Sequence, residues 1–399
     1  MSSTKPKVII AGAGIGGLTA ALSLLKRGFS VEVYEQAPEL REVGAGVQVS
    51  ANGMLVFDKL GLTDRIMAEA AHPERREIRM WNTGQAWTAF DLGTISVQTY
   101  GNPYVTMYRP GLLDILSQAV SSLAPHAIKL NRKAIACEDT GDRVTLHFAD
   151  GTWATGDVLI GADGIHSVVR ATLHGADNPE FTGLVAWRGV IPMDTLPARL
   201  ARNVSSNWVG PGRHIVQYPL RRGALMNFVG IVERTDWTEE SWTTPGSHDD
   251  MRADFVGWND DVQQLINAIP QPYLWALKLR KPLPRWSEGR ITLLGDACHP
   301  MVPFLAQGAV MAIEDGYVLA RALDAHTDIA EALKAYESAR LERTSRAVNG
   351  SADNTKRFHN PALGDPASAG AYVEREWAED RLLERYAWLY HYNADTVPV

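Results

Sequence analysis

The 399-residue chain has only two cysteines, Cys137 and Cys298. Two thiols cannot build a disulfide framework or a multi-cysteine metal centre, so a reducing compartment is the expected setting and no metal is expected. Basic residues form no run, and the formal net charge is -7. The electrostatic footprint that nucleic acid or an anionic membrane surface requires is therefore missing. No apolar stretch approaches the ~20 residues of a membrane-spanning helix. The opening MSSTKPKVIIAGAG also lacks the cationic region, long apolar core and small-residue cleavage site of a signal peptide. Internal repeats and low-complexity tracts are absent too. What remains is the expectation of a cytoplasmic protein, monomer or homodimer, that acts on a small molecule without nucleic-acid or membrane partners. A composition 45% hydrophobic and 21% charged suits one large domain or two closely packed ones.

The strongest local pattern is 7-KVIIAGAGIGGLTAALSLLKRG-28, a β-branched strand that passes through glycines into an alanine- and leucine-rich helix, followed by a second strand at 31-VEVYEQ-36. In Gly12-x-Gly14-x-x-Gly17, the first glycine permits the tight turn. The second lets backbone approach a pyrophosphate, and the third lets helix and strand pack closely. The helix N-terminus, with Ile15 at its start, then faces the phosphates, and Glu35 ends the second strand where a ribose hydroxyl pair arrives. An acid there favours an unphosphorylated ribose, the ADP half of FAD or NAD.

Two later strands also end in glycine and acid, at 161-GADGIHSVVR-170 and 293-LLGDACHPMVP-303. Ligands of open α/β sheets collect at the carboxyl ends of the strands, so three such turns point to one long cofactor touched along its length. That describes FAD better than NAD. Between these turns the pattern predicts a strand pair over 77–93, an amphipathic helix over 109–123 and a β-meander over 133–164 with a hairpin at Asp150-Gly151. Aromatic-rich strands follow at 183–191, 214–220 and 224–233, then helical periodicity over 250–269, a long helix over 306–323 and a helical C-terminus interrupted at 361–370. Cys298 and His299 are adjacent but lack sequence partners for metal or nucleophile chemistry; His299 reads as a structural turn residue.

GAGIGG with Glu35, GADGIHSVVR, and LLGDACHPMVP followed by AIEDG resemble, in order and spacing, the single-component (group A) FAD-dependent aromatic hydroxylases. Within them the chain is most similar to the salicylate hydroxylase, 3-hydroxybenzoate 6-hydroxylase and 6-hydroxynicotinate 3-monooxygenase group. Further matching stretches are 43-VGAGVQVSANG-53, 183-GLVAWRG-189, 214-HIVQYP-219 and 386-YAWLYHYNAD-395. The resemblance spans essentially the whole chain. It implies an α/β fold: a Rossmann-like FAD-binding βαβ domain with a β-meander, plus a substrate domain with a mixed or antiparallel sheet and C-terminal helices. The expected division is 1–73, 109–180 and 286–350 for the FAD-binding domain, 74–108 and 181–285 for the substrate domain, and 351–399 for a helical segment.

The resemblance also implies roles. Gly12, Gly14, Ile15 and Gly17 would hold the pyrophosphate and Glu35 the ribose. Arg109 would contact the ribityl-phosphate region, Asp163 and Gly164 would serve both FAD and the transient NADH or NADPH, and Asp296 would bond the ribityl chain. Gly46 is a further cofactor contact, and Gly308 and Ala309 would aim backbone N–H groups at the charge near N1 of the reduced flavin. The family's chemistry reduces the flavin, adds O2 at C4a and passes the distal oxygen of the hydroperoxyflavin to an aromatic ring. Oxygen transfer is fast on a phenolate, so a base is needed. His214 is the expected base, with Tyr218 four residues on, gripping the other end of the ring. Gln48, Pro303 and Phe304 are expected against the substrate, while Asn52 is either a lining or a loop residue. Trp187 and Arg188 are candidates for a ring wall and a carboxylate partner, unless the arginine pairs with a surface acid. The chain departs from the family at Tyr108, Gly111, Ala306 and Met311. Competing readings are a flavoprotein reductase, which would carry a second glycine fingerprint and a redox cysteine pair, a non-catalytic flavoprotein, and a monooxygenase for a larger aromatic substrate.

Overall fold

The computed structural model describes residues 5–40, 46–236 and 244–399. Val43, Gly44 and Ala45 of the VGAGVQVSANG stretch lie outside them. One layer is a five-stranded sheet in the order Ile291–Leu293, Val158–Gly161, Lys7–Ala11, Ser30–Tyr34, Ile128–Lys129, with every pairing parallel. Parallel strands are covered on both faces, and Val8, Ile9, Ile10, Leu159, Ile160 and Leu293 are accordingly fully enclosed. The meander Ala134–Asp139, Val144–Phe148, Trp153–Gly156 feeds this sheet. Helix Ile15–Lys26 lies close to helix Gly308–Ala325, since a Cβ on Gly316 would stand 2.6 Å from the Ala20 nitrogen.

The second layer is a seven-stranded mixed sheet: Tyr273–Leu279, Glu180–Pro192, Leu225–Glu233, Arg213–Leu220, Ser205–Gly210, Arg75–Met80, Ala86–Asp91. Only the pairing of Ser205–Gly210 with Arg75–Met80 is parallel. Strand side chains alternate. One set, including Trp187, Trp208, Ile215 and Phe228, packs under helices His248–Asp254 and Asp260–Asn267. The other set, including Met80, Val209, Ile231 and Ala186, meets Phe304, Met311, Phe358 and the C-terminal helices.

The α/β fold with its separate substrate sheet is the expected one. Strands Ser205–Gly210 and Tyr273–Leu279 lie where the sequence pattern predicts none. The periodicity of 250–269 resolves into two helices, because the chain turns at Gly257 with φ +78°. After the long helix Ile329–Phe358, a short 3-10 turn at Pro361–Gly364 separates helices Ala369–Glu376 and Glu379–Tyr390. The long helix is locked to Gly308–Ala325 by a buried ionic network. Arg340 lies 2.7 Å from both Asp315 and Glu314, and Arg343 bonds Glu314 at 2.8 and 2.9 Å.

Candidate active site

The three glycine-acid turns leave adjacent strands at one edge of the parallel sheet: Gly295 and Asp296, Gly161 to Gly164, and Gly12 to Gly17 beside Glu35. Gly12 has φ +102°, and a Cβ there would stand 2.3 Å from the Ala162 carbonyl oxygen; one on Gly17 would stand 2.1 Å from the Gly12 oxygen. Gly14, the N-cap of helix Ile15–Lys26, has nothing within 4 Å of its Cβ position, so the helix N-terminus opens on free space. Glu35 accepts from the backbone of Ala13 and Ala37, both at 2.9 Å, which fixes its carboxylate at the turn.

Asp163 directs its carboxylate to Ser167 Oγ and to the Val168 N–H at 2.8 Å, capping helix Val168–His174. The part of this turn with open space beyond it is Gly164, at φ +78°. Asp296 is exposed although protein crowds it. Burial pushes its carboxyl up while His299 and Arg109 pull it back. Arg109 opens helix Arg109–Leu123 after strand Val105–Tyr108. Helix Gly308–Ala325 starts with Gln307 as N-cap, so the amides of Gly308 and Ala309 head an 18-residue helix. Ala306 just before it adopts φ +54°, the left-handed conformation that glycine takes at no Cβ cost, so this departure carries a backbone cost. A helix N-terminus with free space before it, an acid fixed beside the glycine turn and an exposed acid after the outer strand fit FAD.

Cys298 and His299, unlike Asp296, are buried. The thiol is fully buried and pushed well up by that burial, and it donates to the Gly295 oxygen. His299 bonds Asp315 at 2.6 Å, and Asp315 is itself held by Arg340. His299 is thus a structural member of the ionic network. Asn52 belongs there as well: it lies buried in helix Ala51–Lys59 rather than in a loop and donates to Glu314 at 2.7 Å.

The substrate residues converge on one face of the seven-stranded sheet. Register sets Arg76, Ser205, Tyr218 and Asn227 in one row across four strands, and Met80, Val209, His214 and Ile231 in another two rungs away. Arg188 lies on the same face, its guanidinium 4.5 Å from the Trp275 ring centroid. Trp187, one residue earlier, points to the opposite face, where it is fully buried and bonds Asp254 at 2.7 Å. Strand alternation therefore excludes it as a ring wall. Phe304 stands edge-on to His214 at 4.9 Å, and the neighbouring Pro303 is exposed. A Cβ on Gly46 would stand 2.5 Å from the Tyr218 ring, so this cofactor candidate also abuts the phenol.

Several groups here were not singled out in the sequence. Arg76 donates to Gln48 Oε1 at 2.8 Å and to the Tyr104 hydroxyl at 2.6 Å, and Tyr104 also donates to Gln48 at 2.6 Å. Arg76 is 8% exposed and has no carboxylate partner among the described residues. Asn227 accepts from the Gly46 N–H at 2.9 Å. Among the described residues, buried side-chain atoms without a hydrogen-bond partner include Arg76 Nε, Ser205 Oγ, Asn207 Oδ1, His214 Nε2 and Asn227 Nδ2. By register all five belong to this one face. Orphaned buried polar atoms are costly, and such a cluster marks where a polar ligand is received. Burial pushes Tyr218 up, with Arg188, Arg76 and Arg109 pulling it back, so three guanidinium groups act on one phenol.

Comparison with known proteins agrees with this geometry. A model of the FAD binding domain matches residues 5–351. The chain is 37% identical over 398 residues to a 3-amino-4-hydroxybenzoate 2-monooxygenase of Streptomyces platensis, covering 100% of this chain and 98% of that one. It is 40% identical over 361 residues to the 6-hydroxynicotinate 3-monooxygenase of Pseudomonas fluorescens, covering 88% and 92%. Among solved structures, Klebsiella pneumoniae HpxO with FAD and uric acid superposes with a TM-score of 0.82 at 28% identity, covering 94% and 96%. A salicylate hydroxylase substrate complex superposes at 0.80 and 27%, covering 98% and 97%. The chain belongs to the group A, single-component FAD-dependent aromatic hydroxylases.

Proposed function

We propose that this enzyme hydroxylates a small hydroxylated aromatic carboxylate of the hydroxybenzoate, salicylate or hydroxynicotinate type, using NADH or NADPH and O2. The observation that carries the reading is Arg76, a buried guanidinium with no acid beside it among the described residues, set on the same sheet face as Tyr218 and His214. A buried cation is costly unless paired, so a substrate carboxylate is its natural partner. Arg188 adds positive potential from the same face. The relatives that act on aminohydroxybenzoate and hydroxynicotinate support the same substrate class.

Bound FAD supplies hydride acceptance and oxygen activation. The chain's residues do the rest. Gly12, Gly14, Ile15 and Gly17 receive the pyrophosphate, Glu35 the ribose, and Arg109, Asp296 and the Gly164 backbone the flavin half. Arg76, held by Gln48 and Tyr104, anchors the carboxylate, and Tyr218 orients the ring. His214 takes the phenolic proton at Nε2; burial holds its pKa well below the ordinary imidazole value, so it is neutral and able to accept at pH 7. Phe304 and Phe358 exclude water around it.

The test is NADH or NADPH consumption with product mass across salicylate, 3- and 4-hydroxybenzoate, 6-hydroxynicotinate and 3-amino-4-hydroxybenzoate, using FAD-loaded protein. One or more of these acids should stimulate consumption and yield a hydroxylated product. If none does, the substrate class is wrong.

A further inference from the structure

We infer that His214, His359 and Glu233 form a proton wire leading the substrate's phenolic proton from the closed site to solvent. The inference rests on the reading of His214 as base given above. His214 Nδ1 lies 2.7 Å from His359 Nε2, and His359 Nδ1 lies 2.8 Å from Glu233 Oε1. His214 is fully buried and His359 is 5% exposed, whereas the Glu233 side chain is 56% exposed. Three side chains thus connect the interior to the surface. Glu233 opens on a cleft of about 890 Å³ that it lines with Arg234 and Thr355.

The wire has a direction, and the direction fixes the base. An ionised carboxylate only accepts, so His359 must carry its proton on Nδ1. Its Nε2 is then an acceptor, which places the His214 proton on Nδ1. His214 Nε2 is left with a bare lone pair, and that is the atom buried without a partner on the substrate face. Burial lowers both imidazoles; His359 lowers His214 further, and Glu233 pulls His359 back up. Phe304 and Phe358 flank His214, so the titratable groups bonded within the wire are the two rings and Glu233.

In the transfer, the phenol O–H breaks as His214 Nε2–H forms. His214 Nδ1–H breaks as His359 Nε2–H forms, and His359 Nδ1–H breaks as the Glu233 carboxyl is protonated and then releases its proton to water. No electrons are exchanged. The reverse shift, when the product phenolate is reprotonated, restores the starting tautomers. His359 and Glu233 are positioning and relay residues; His214 alone meets the substrate.

Nitrogen NMR of the FAD-loaded, substrate-free enzyme labelled at histidine reads the wire without any turnover, with His214 and His359 assigned from their substitutions. His214 should be the Nδ1–H tautomer and lose that preference in Glu233→Gln. In turnover, His359→Asn and Glu233→Gln should keep FAD and substrate KM while coupled product formation at pH 7 falls by roughly 10-fold to 100-fold. The deficit should shrink as pH rises toward the substrate's own phenol pKa. A purely structural role would instead lower FAD content or raise KM and leave the pH profile in place. The wire is overturned by an Nε2–H His214 in the parent enzyme, or by parental coupling and pH profile in both variants. An Nδ1–H His214 in an enzyme that turns over none of the acids keeps the wire's polarity and refutes the substrate class alone.

Discussion

The ring edge of Tyr218 rests directly on the backbone of Gly46: a Cβ at Gly46 would lie 2.5 Å from Tyr218 Cε2 and 2.7 Å from its hydroxyl oxygen. Tyr218 is 4% exposed and cannot swing aside freely. Gly46→Ala should therefore push the phenol out of place at a cost of about 1–3 kcal/mol of overpacking. Flavin content should fall less than in Gly17→Ala, since the pyrophosphate turn is untouched, while KM rises and peroxide release increases. Peroxide measured against hydroxylated product checks this, and a variant with parental coupling would remove Tyr218 from the site.

Gly17 makes a different demand. A Cβ there would stand 2.1 Å from the Gly12 carbonyl oxygen, a backbone atom that cannot rotate away. Gly17→Ala should weaken FAD binding by roughly 10-fold to 100-fold, the equivalent of about 1–3 kcal/mol, and yield protein purified largely without flavin. The ratio of flavin to protein absorbance reads the effect. Gly14→Ala, with nothing within 4 Å of its Cβ position, tests instead whether the cofactor itself fills that space: a similar loss is expected from the ligand side.

The cofactor half of the site was legible because each glycine-acid turn is local: strand, turn and helix lie within a few dozen residues, and the parallel sheet brings the strand ends together. The substrate half is non-local. His359 meets His214 across 145 positions, and no spacing rule links a helix end to a strand. Arg76 sits in RREIRM, where four charged residues in one short strand leave no apolar pattern to say which face is buried; only its pairing with Ser205 places it inside. Trp187 and Arg188 cannot both face the substrate, because period-two alternation forbids neighbours from sharing a face; Arg188 is on that face and Trp187 is not. Strand Ser205–Gly210 escaped notice for lack of a long apolar run; Ser205, Ser206 and Asn207 are buried polar residues.

The buried ionic network predicts an acid-labile fold. Burial alone would raise the Glu314 and Asp315 carboxyls, yet Arg343 and Arg340 around Glu314, and His299 and Arg340 around Asp315, more than offset it and hold both below their ordinary values of 4.5 and 3.8. A lowered carboxyl pKa contributes stability that is complete above those ordinary values and is lost as pH falls through the lowered ones. Urea midpoints of FAD-loaded protein should thus drop at the acid end of a series between about pH 3 and about pH 7. Arg340→Met takes a cation from each of two buried carboxylates, leaving Arg343 on Glu314 and His299 on Asp315, and should cost about 3–5 kcal/mol at neutral pH while altering the acid drop. A variant with a parental acid limb would assign the lability elsewhere.

Arg76 carries the sharpest prediction about specificity. Its guanidinium is held by Gln48 and Tyr104, two neutral partners, so its positive charge has no anionic partner among the described residues. A hydrogen bond to a charged group is worth about 1.5–3 kcal/mol, and an interaction present in both ground and transition states shows in KM. Arg76→Met should therefore raise KM for the carboxylate substrate by roughly 10-fold to 100-fold with kcat little changed. The carboxamide analogue separates recognition from folding: it should bind the parent poorly and the variant about as well as the acid does. If the variant loses the acid and the amide equally, or keeps its KM for the acid, the carboxylate is anchored elsewhere on the face, and Arg188 becomes the next residue to substitute.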